Sequence, residues 1–354
     1  MKQQPIIGGI QQIGIGNPNT YELWAWYRKA FFVDIPIFDE AATAELMLPY
    51  TGGEPRKRHA VLAMSMQGGG GLEIWQYTER TPEPISFEGA IGDLGIYVLK
   101  IKSKDVRRTY KHLQTIKVNT VSEPGLDPNG SLHFYCLDPY GNLVEVVHAN
   151  EWYTNTKATT GGVYGCTIGV SNMDRSIQFY RDILGYDQII YDVSGKQEDY
   201  APLFGGNETY RRVLIGHSKP RRGPFSQWIG GSHLELVQSL SRTPKKLFEN
   251  RFWGDIGYIH LCYDIQGMAA MKALCKAHGH PFTVDSADSF DMGEAAGHFS
   301  YIEDPDGTLI EFVEAHKIPI LKKLGWYLDL RKRDPAKPLA KWMLRALSLN
   351  RKKD

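Results

Sequence analysis

Four glutamates stand in the middle of apolar runs. Asp304-Pro305-Asp306-Gly307 is a tight turn that leads into Thr308-Leu309-Ile310-Glu311-Phe312-Val313, and the phrase occurs earlier as Asp138-Pro139-Tyr140-Gly141-Asn142-Leu143-Val144-Glu145-Val146-Val147. Leu72-Glu73-Ile74 and Leu234-Glu235-Leu236 are shorter echoes. A carboxylate inside a strand is costly to bury unless a cation or hydrogen bonds meet it. Each of these strands therefore calls for a cation or hydrogen-bond donors beside its glutamate, in a unit repeated along the chain.

The elements that carry these residues recur in one order. Gly9 to Ile15 reads as a strand, Asn19 and Thr20 as a helix start with Leu23, Trp24, Trp26 and Tyr27 on its apolar face, and strands follow near Ile35–Phe38, His59–Met66 and Leu72–Tyr77. A second unit has a strand at Gly92–Ile101, a helix capped by Ser103 with Val106, Tyr110 and Leu113 inward, and strands near Leu132–Cys136 and Leu143–Val147. Asn150 to Gly162 is polar and glycine-containing, and reads as the linker. Beyond it come a strand at Tyr164–Val170, a helix capped by Asn172 and stopped by Gly185, and strands at Arg212–Ile215 and His233–Gln238. The fourth unit has a strand at Gly257–Ile265, a helix with Met268, Met271 and Cys275 inward, and strands at Phe299–Ile302 and Leu309–Val313. The expected organisation is four βαβββ units: two over residues 7–150, two over 163–316, and a basic extension over 317–354.

Composition narrows the function. A formal net charge of +1 provides no field for nucleic acid or acidic membranes, and no apolar run is long enough to span a bilayer. A cytoplasmic protein is the expectation, with a small-molecule partner, no nucleic acid, no membrane, and a homodimer left open. Cys136, Cys166, Cys262 and Cys275 lack metal-type spacing and read as buried thiols.

Several pieces resemble one family. Ser171-Asn172-Met173-Asp174-Arg175-Ser176-Ile177-Gln178-Phe179-Tyr180-Arg181-Asp182-Ile183-Leu184-Gly185, Gly257-Tyr258-Ile259-His260-Leu261 and the turn leading into Glu311 look like the vicinal oxygen chelate superfamily. This group includes glyoxalase I, extradiol dioxygenases and bleomycin-resistance proteins. The resemblance implies an α+β fold in which pairs of βαβββ units close cup-shaped mixed sheets, with metal ligands on the first and last strands of each unit. Carried over, the ligand positions are Gln12 and Glu73 in unit one, Glu145 alone in unit two with its first-strand position near Ile96, Gly165 and Glu235 in unit three, and His260 and Glu311 in unit four. Only units one and four are complete, so a pairing of one with four is favoured over neighbour pairing. Glu145 and Glu235 then read as remnants without partners.

Gln12, Glu73, His260 and Glu311 form a set that suits one divalent ion, whether Zn, Ni, Co, Mn or Fe. The resemblance implies a metal-dependent lyase or isomerase of the glyoxalase I type, working through an enediolate on an α-hydroxy or α-keto carbonyl compound, with Glu311 or Glu73 as the base. The alternatives are a non-haem iron dioxygenase and a non-catalytic binding protein. Glyoxalase I usually has an arginine four residues after its first ligand, to grip glutathione; here that residue is Gly16. Trp75 and Val313 share strand faces with Glu73 and Glu311, which predicts an aromatic and apolar wall.

Other features read as ordinary. The remaining histidines are expected at the surface or in structural roles; His298 stands apart from them only in following Gly297 on a glycine-containing approach to its strand. Gly68–Gly71 is a turn rather than a phosphate loop. Arg56-Lys57-Arg58 and Lys219-Pro220-Arg221-Arg222 read as solvated inserts. Gln11 adjoins Gln12, so a one-residue slip would exchange their faces. In the tail, twelve Lys or Arg against three Asp give +9, and Leu339, Met343 and Leu347 predict a packed helix.

Overall fold

The computed structural model describes residues 4–352 apart from 288–289, 293–294 and 322–325. Unit one comprises β1 (Ile6–Gly16), α1 (Thr20–Phe31), β2 (Ile35–Thr43), β3 (Lys57–Met64) and β4 (Gly71–Tyr77). Unit two has β5 (Gly95–Ser103), α2 (Val106–Thr115), β6 (Gly125–Leu126), β7 (Leu132–Leu137) and β8 (Leu143–His148). Unit three has β9 (Thr160–Gly169), α3 (Met173–Leu184), β10 (Gln188–Gly195), β11 (Tyr210–Gly216), α4 (Ser226–Ile229) and β12 (His233–Ser239). Unit four has β13 (Gly257–Gln266), α5 (Met268–Ala277), β14 (Val284–Asp285), β15 (Phe290–Met292), β16 (Ala295–Glu303) and β17 (Leu309–Leu321), after which come β18 (Trp326–Asp329) and α6 (Lys341–Ala346).

The strands form two curled mixed sheets. One runs β14-β16-β17-β13-β1-β4-β3-β2, with β15 on β16 and β18 on β17; the other runs β10-β11-β12-β9-β5-β8-β7-β6. Antiparallel pairing of β1 with β13 joins unit one to unit four, and β5 with β9 joins two to three. The exchanged pairing favoured by the ligand count is the one observed.

Period-two alternation assigns each strand a core face and a cup face. Ile13, Ile15, Leu72, Ile74, Leu261, Tyr263, Ile310 and Phe312 bury in the main core together with the helices and with Leu99, Val144, Cys166 and Leu236 of the other sheet. Residues of opposite parity line the cups.

Helix starts follow capping chemistry. Asn19 accepts from the Glu22 amide and Asn172 from the Arg175 amide, while Gly185 ends α3 at φ 71°. In α2 the cap is Asp105, not Ser103. Strand β5 continues through Ser103, whose hydroxyl meets Thr109 Oγ1 at 2.9 Å instead.

The expected tail helix is shorter than its pattern. α6 starts after Leu339, because Pro335 and Pro338 cannot continue a helix upstream. Leu339 and Leu344 instead bury with Ile35, Met64, Met66, Tyr153, Trp228 and Ile229. Lys57 and Arg58 belong to β3 rather than to a loop.

Candidate metal centre

The central strands β17, β13, β1 and β4 bring the four expected residues together. Gly14 pairs with His260 on one side and with Glu73 on the other, and Cys262 pairs with Glu311. One ligand atom from each of Glu73, His260 and Glu311 lies within 4.8 Å of the others. His260 Nε2 stands 3.1 Å from Glu311 Oε2 and 3.3 Å from Glu73 Oε2. Gln12 Nε2 donates to Glu73 Oε2 at 3.2 Å.

A bulge resolves the two glutamines. The register of β1 against β13 shifts between Ile10 and Gln12, making Gln11 the extra residue. Gln12 turns to the cluster, while Gln11 Oε1 accepts from Cys262 Sγ at 3.6 Å.

Gly14 makes room for the imidazole. A Cβ there would lie 2.6 Å from His260 Nδ1. The ring is fully buried, stacked on Trp253 at 6.1 Å and 14° and edge-on to Tyr301 at 5.6 Å. Trp75, Tyr77 and Ile259 complete an aromatic and apolar wall with Trp253 and Tyr301.

Electrostatics favour ions here. Burial opposes the charge on His260, but Glu311 and then Glu73 outweigh it and raise the imidazole to about 9. Burial likewise works against the Glu73 carboxylate, yet His260, Arg58 and Gln12 hold it below the ordinary range. Arg58, expected in solvent, thus acts on the cluster from β3.

The polar atoms at the centre fit a cation. Gln12 Oε1, both His260 ring nitrogens and Glu311 Oε2 are buried without a hydrogen-bond partner among the described residues. The short His260 contacts are close enough for charge attraction but lack hydrogen-bond alignment, as expected of donor atoms converging on a common point. Two carboxylates could balance a divalent charge, with an imidazole nitrogen and an amide oxygen beside them.

The second cup is built differently. There Lys100 pairs with Glu145 as Gly14 does with Glu73, so the first-strand counterpart of Gln12 is Val98 rather than Ile96. Glu145 and Glu235 are not partnerless remnants. Lys100 Nζ contacts Glu145 Oε2 and lies 2.8 Å from Glu235 Oε2, and His133 Nδ1 is 2.7 Å from Glu145 Oε1. Arg212 and Tyr191 contact Glu235 Oε1, and Thr167 Oγ1 donates to Oε2 at 3.0 Å.

The sequence held one unused signal for this arrangement. Lys100 in Tyr97-Val98-Leu99-Lys100-Ile101 is as anomalous inside a strand as any of the four glutamates. Trp253 and Tyr301 had no such mark, because aromatic residues in loops and strands are ordinary.

These features define a protein of the glyoxalase-like fold with two curled cups, one of which holds a candidate metal centre. The chain belongs to the Glyoxalase/Bleomycin resistance protein/Dioxygenase superfamily, whose model matches residues 10–146 and 163–312. That superfamily contains metal-dependent enzymes. Glyoxalase I from Zea mays is similar at 13% identity and TM-score 0.55, over 86% of this chain and 92% of that one. A candidate dioxygenase from Bacillus subtilis is similar at 13% identity and TM-score 0.54, over 88% and 86%. At such identity the likeness concerns the fold. No curated protein matches the sequence. Among the described residues no helix is long and apolar enough to cross a membrane.

Proposed function

We propose that the chain is a divalent-metal-dependent lyase or isomerase of the glyoxalase I type, acting on an α-hydroxy or α-keto carbonyl compound that is not a glutathione adduct. The observation that carries this reading is the buried convergence of Glu73, His260 and Glu311 with Gln12, where Gln12 Oε1, the His260 nitrogens and Glu311 Oε2 have no hydrogen-bond partner among the described residues. A divalent ion held there would polarise two adjacent oxygens of a substrate as a Lewis acid. In this reading Glu311 or Glu73 takes a proton next to the carbonyl and returns it to the neighbouring carbon. The buried aromatic wall would limit water access while that proton is held.

A Cβ at Gly16 would overlap the carbonyl oxygen of Asp255, so the position expected to hold a glutathione-gripping arginine cannot carry a side chain. The segment that fills the space also presents Trp253, which lines a cavity of about 580 Å³ together with Tyr50, Phe248, Phe252, Ile259 and Leu309. Lys246, Arg251, Glu303 and Asp306 line that cavity too and the four cluster residues do not, so it is the wall around His260, formed by Trp75, Trp253 and Tyr301, that suits an aromatic or apolar substrate. The cluster contains a single imidazole, which supports proton transfer over the two-histidine iron chemistry of oxygen activation.

The test combines metal content with exchange. His260→Ala should lower bound metal sharply, while Glu145→Ala leaves the first cup loaded. Wild-type protein with Zn, Ni or Mn should exchange the α-proton of 2-hydroxyacetophenone with deuterium from solvent, followed by NMR, and Glu311→Gln should slow this by roughly 100-fold or more. Equal metal in His260→Ala and wild type would refute the site; metal without exchange by any loaded form would favour a binding protein.

A further inference from the structure

The two cups share a frame but differ at its centre. In the first, Gly14 leaves room for the His260 imidazole beside the two last-strand glutamates; in the second, the equivalent residue is Lys100, whose ammonium sits between Glu145 and Glu235. Lys100, Glu145, Glu235 and His133 are all buried. Two last-strand carboxylates and an imidazole are thus present here as well, and His133 bonds one of those carboxylates at 2.7 Å.

We infer that the Lys100 ammonium is a built-in replacement for a divalent cation. The second cup is a latent cation site framed by Glu145 and Glu235, with His133 held to one side between Glu145 Oε1 and Asp199 Oδ2, and its central position is taken by the chain's own charge. The contrast rests on reading the first cup as the cation-binding one. Charge balance supports the assignment. Arg212 pairs with Asp199 at 2.8 and 2.6 Å and also contacts Glu235, but it does not reach Glu145. Removing Lys100 would leave Glu145 facing His133 alone, and two buried carboxylates would share too little positive charge. Carboxylate oxygen donors in that state suit a divalent ion such as Mn or Zn. The rest of the second cup is lined by the buried Ile91, Val98, Tyr135, Leu143, Tyr200 and Val237.

The test is a count of metal per chain in Lys100→Ala against wild type, after loading with zinc or manganese and dialysis. Lys100→Ala should hold one equivalent more than wild type, its thermal midpoint should rise with added zinc, and adding Glu145→Gln should abolish both gains. A folded Lys100→Ala with the wild-type count would overturn the inference. Should that variant be insoluble, Lys100→Gln supplies an amide oxygen of the kind Gln12 presents in the first cup; if zinc neither raises its midpoint nor permits it to refold from urea, the inference also fails. The count is a difference from wild type. A first cup that binds no metal would lower both values equally, and would thereby refute the proposed function without touching this comparison.

Discussion

Gly14 shows how a residue with no side chain can decide chemistry. It lies between Glu73 and His260 in neighbouring strands, and the imidazole occupies the volume its Cβ would need. Gly14→Ala should therefore displace His260, weaken metal binding by roughly 10–100-fold as loss of an orienting contact does, and cost about 1–3 kcal/mol through overpacking. Calorimetric zinc titration and urea melts of the variant would check both; unchanged affinity would mean that the ring orientation is not set by this gap. The glutamates were legible in the sequence because charge in an apolar strand is anomalous. Gly14 was not, since glycine in a strand has several ordinary causes. The choice between Gln11 and Gln12 turned on a bulge, which no alternation pattern reveals.

Among elements, the regular units were legible and the irregular inserts were not. Helices α1 and α3 begin at the asparagines that their sequence marks as caps, because a cap needs only a local side chain. The segment before β13 has no periodicity, yet it places Trp253 on His260, and its backbone blocks Gly16. Trp253→Ala should destabilise the protein by about 3–5 kcal/mol and open the cup, so bulkier α-hydroxy ketones should gain relative to small ones in exchange assays. The strands of the second cup make a separate prediction. Burial opposes the Glu235 and Glu145 charges, but Arg212 and Lys100 for the first, and Lys100 and His133 for the second, hold both carboxyls below their ordinary range. A depressed folded-state pKa gives stability that is present above the unfolded value of about 4.3 and is lost as pH falls through the folded one. Chemical denaturation should thus show stability falling as the pH drops below about 4, and Glu235→Gln, which breaks a buried network, should cost about 3 kcal/mol at pH 7 while flattening that acid limb.

At the scale of the whole molecule, the order of units in the chain and their order in space differ. Units one and four share a sheet, as do two and three, so both central seams join the first half of the chain to the second. This was legible only through chemistry: the complete ligand pairs fell in units one and four, whereas hydrophobic patterning is the same in all four and is blind to partner choice. A cut between Thr156 and Lys157, in an exposed stretch without helix or strand, tests the consequence. Each half would keep its own strands but expose the edges of β1 and β5, or of β9 and β13, together with the apolar faces that the main core buries between halves. Each alone should therefore be unstable or aggregate, while co-expressed halves should form a one-to-one complex. The candidate centre sharpens the readout, because Gln12 and Glu73 lie on one half, and His260 and Glu311 on the other. Metal should be retained by the complex and by neither half; a half that is monomeric, cooperatively folded and metal-loaded would show that the seam between β1 and β13 is not what assembles the site.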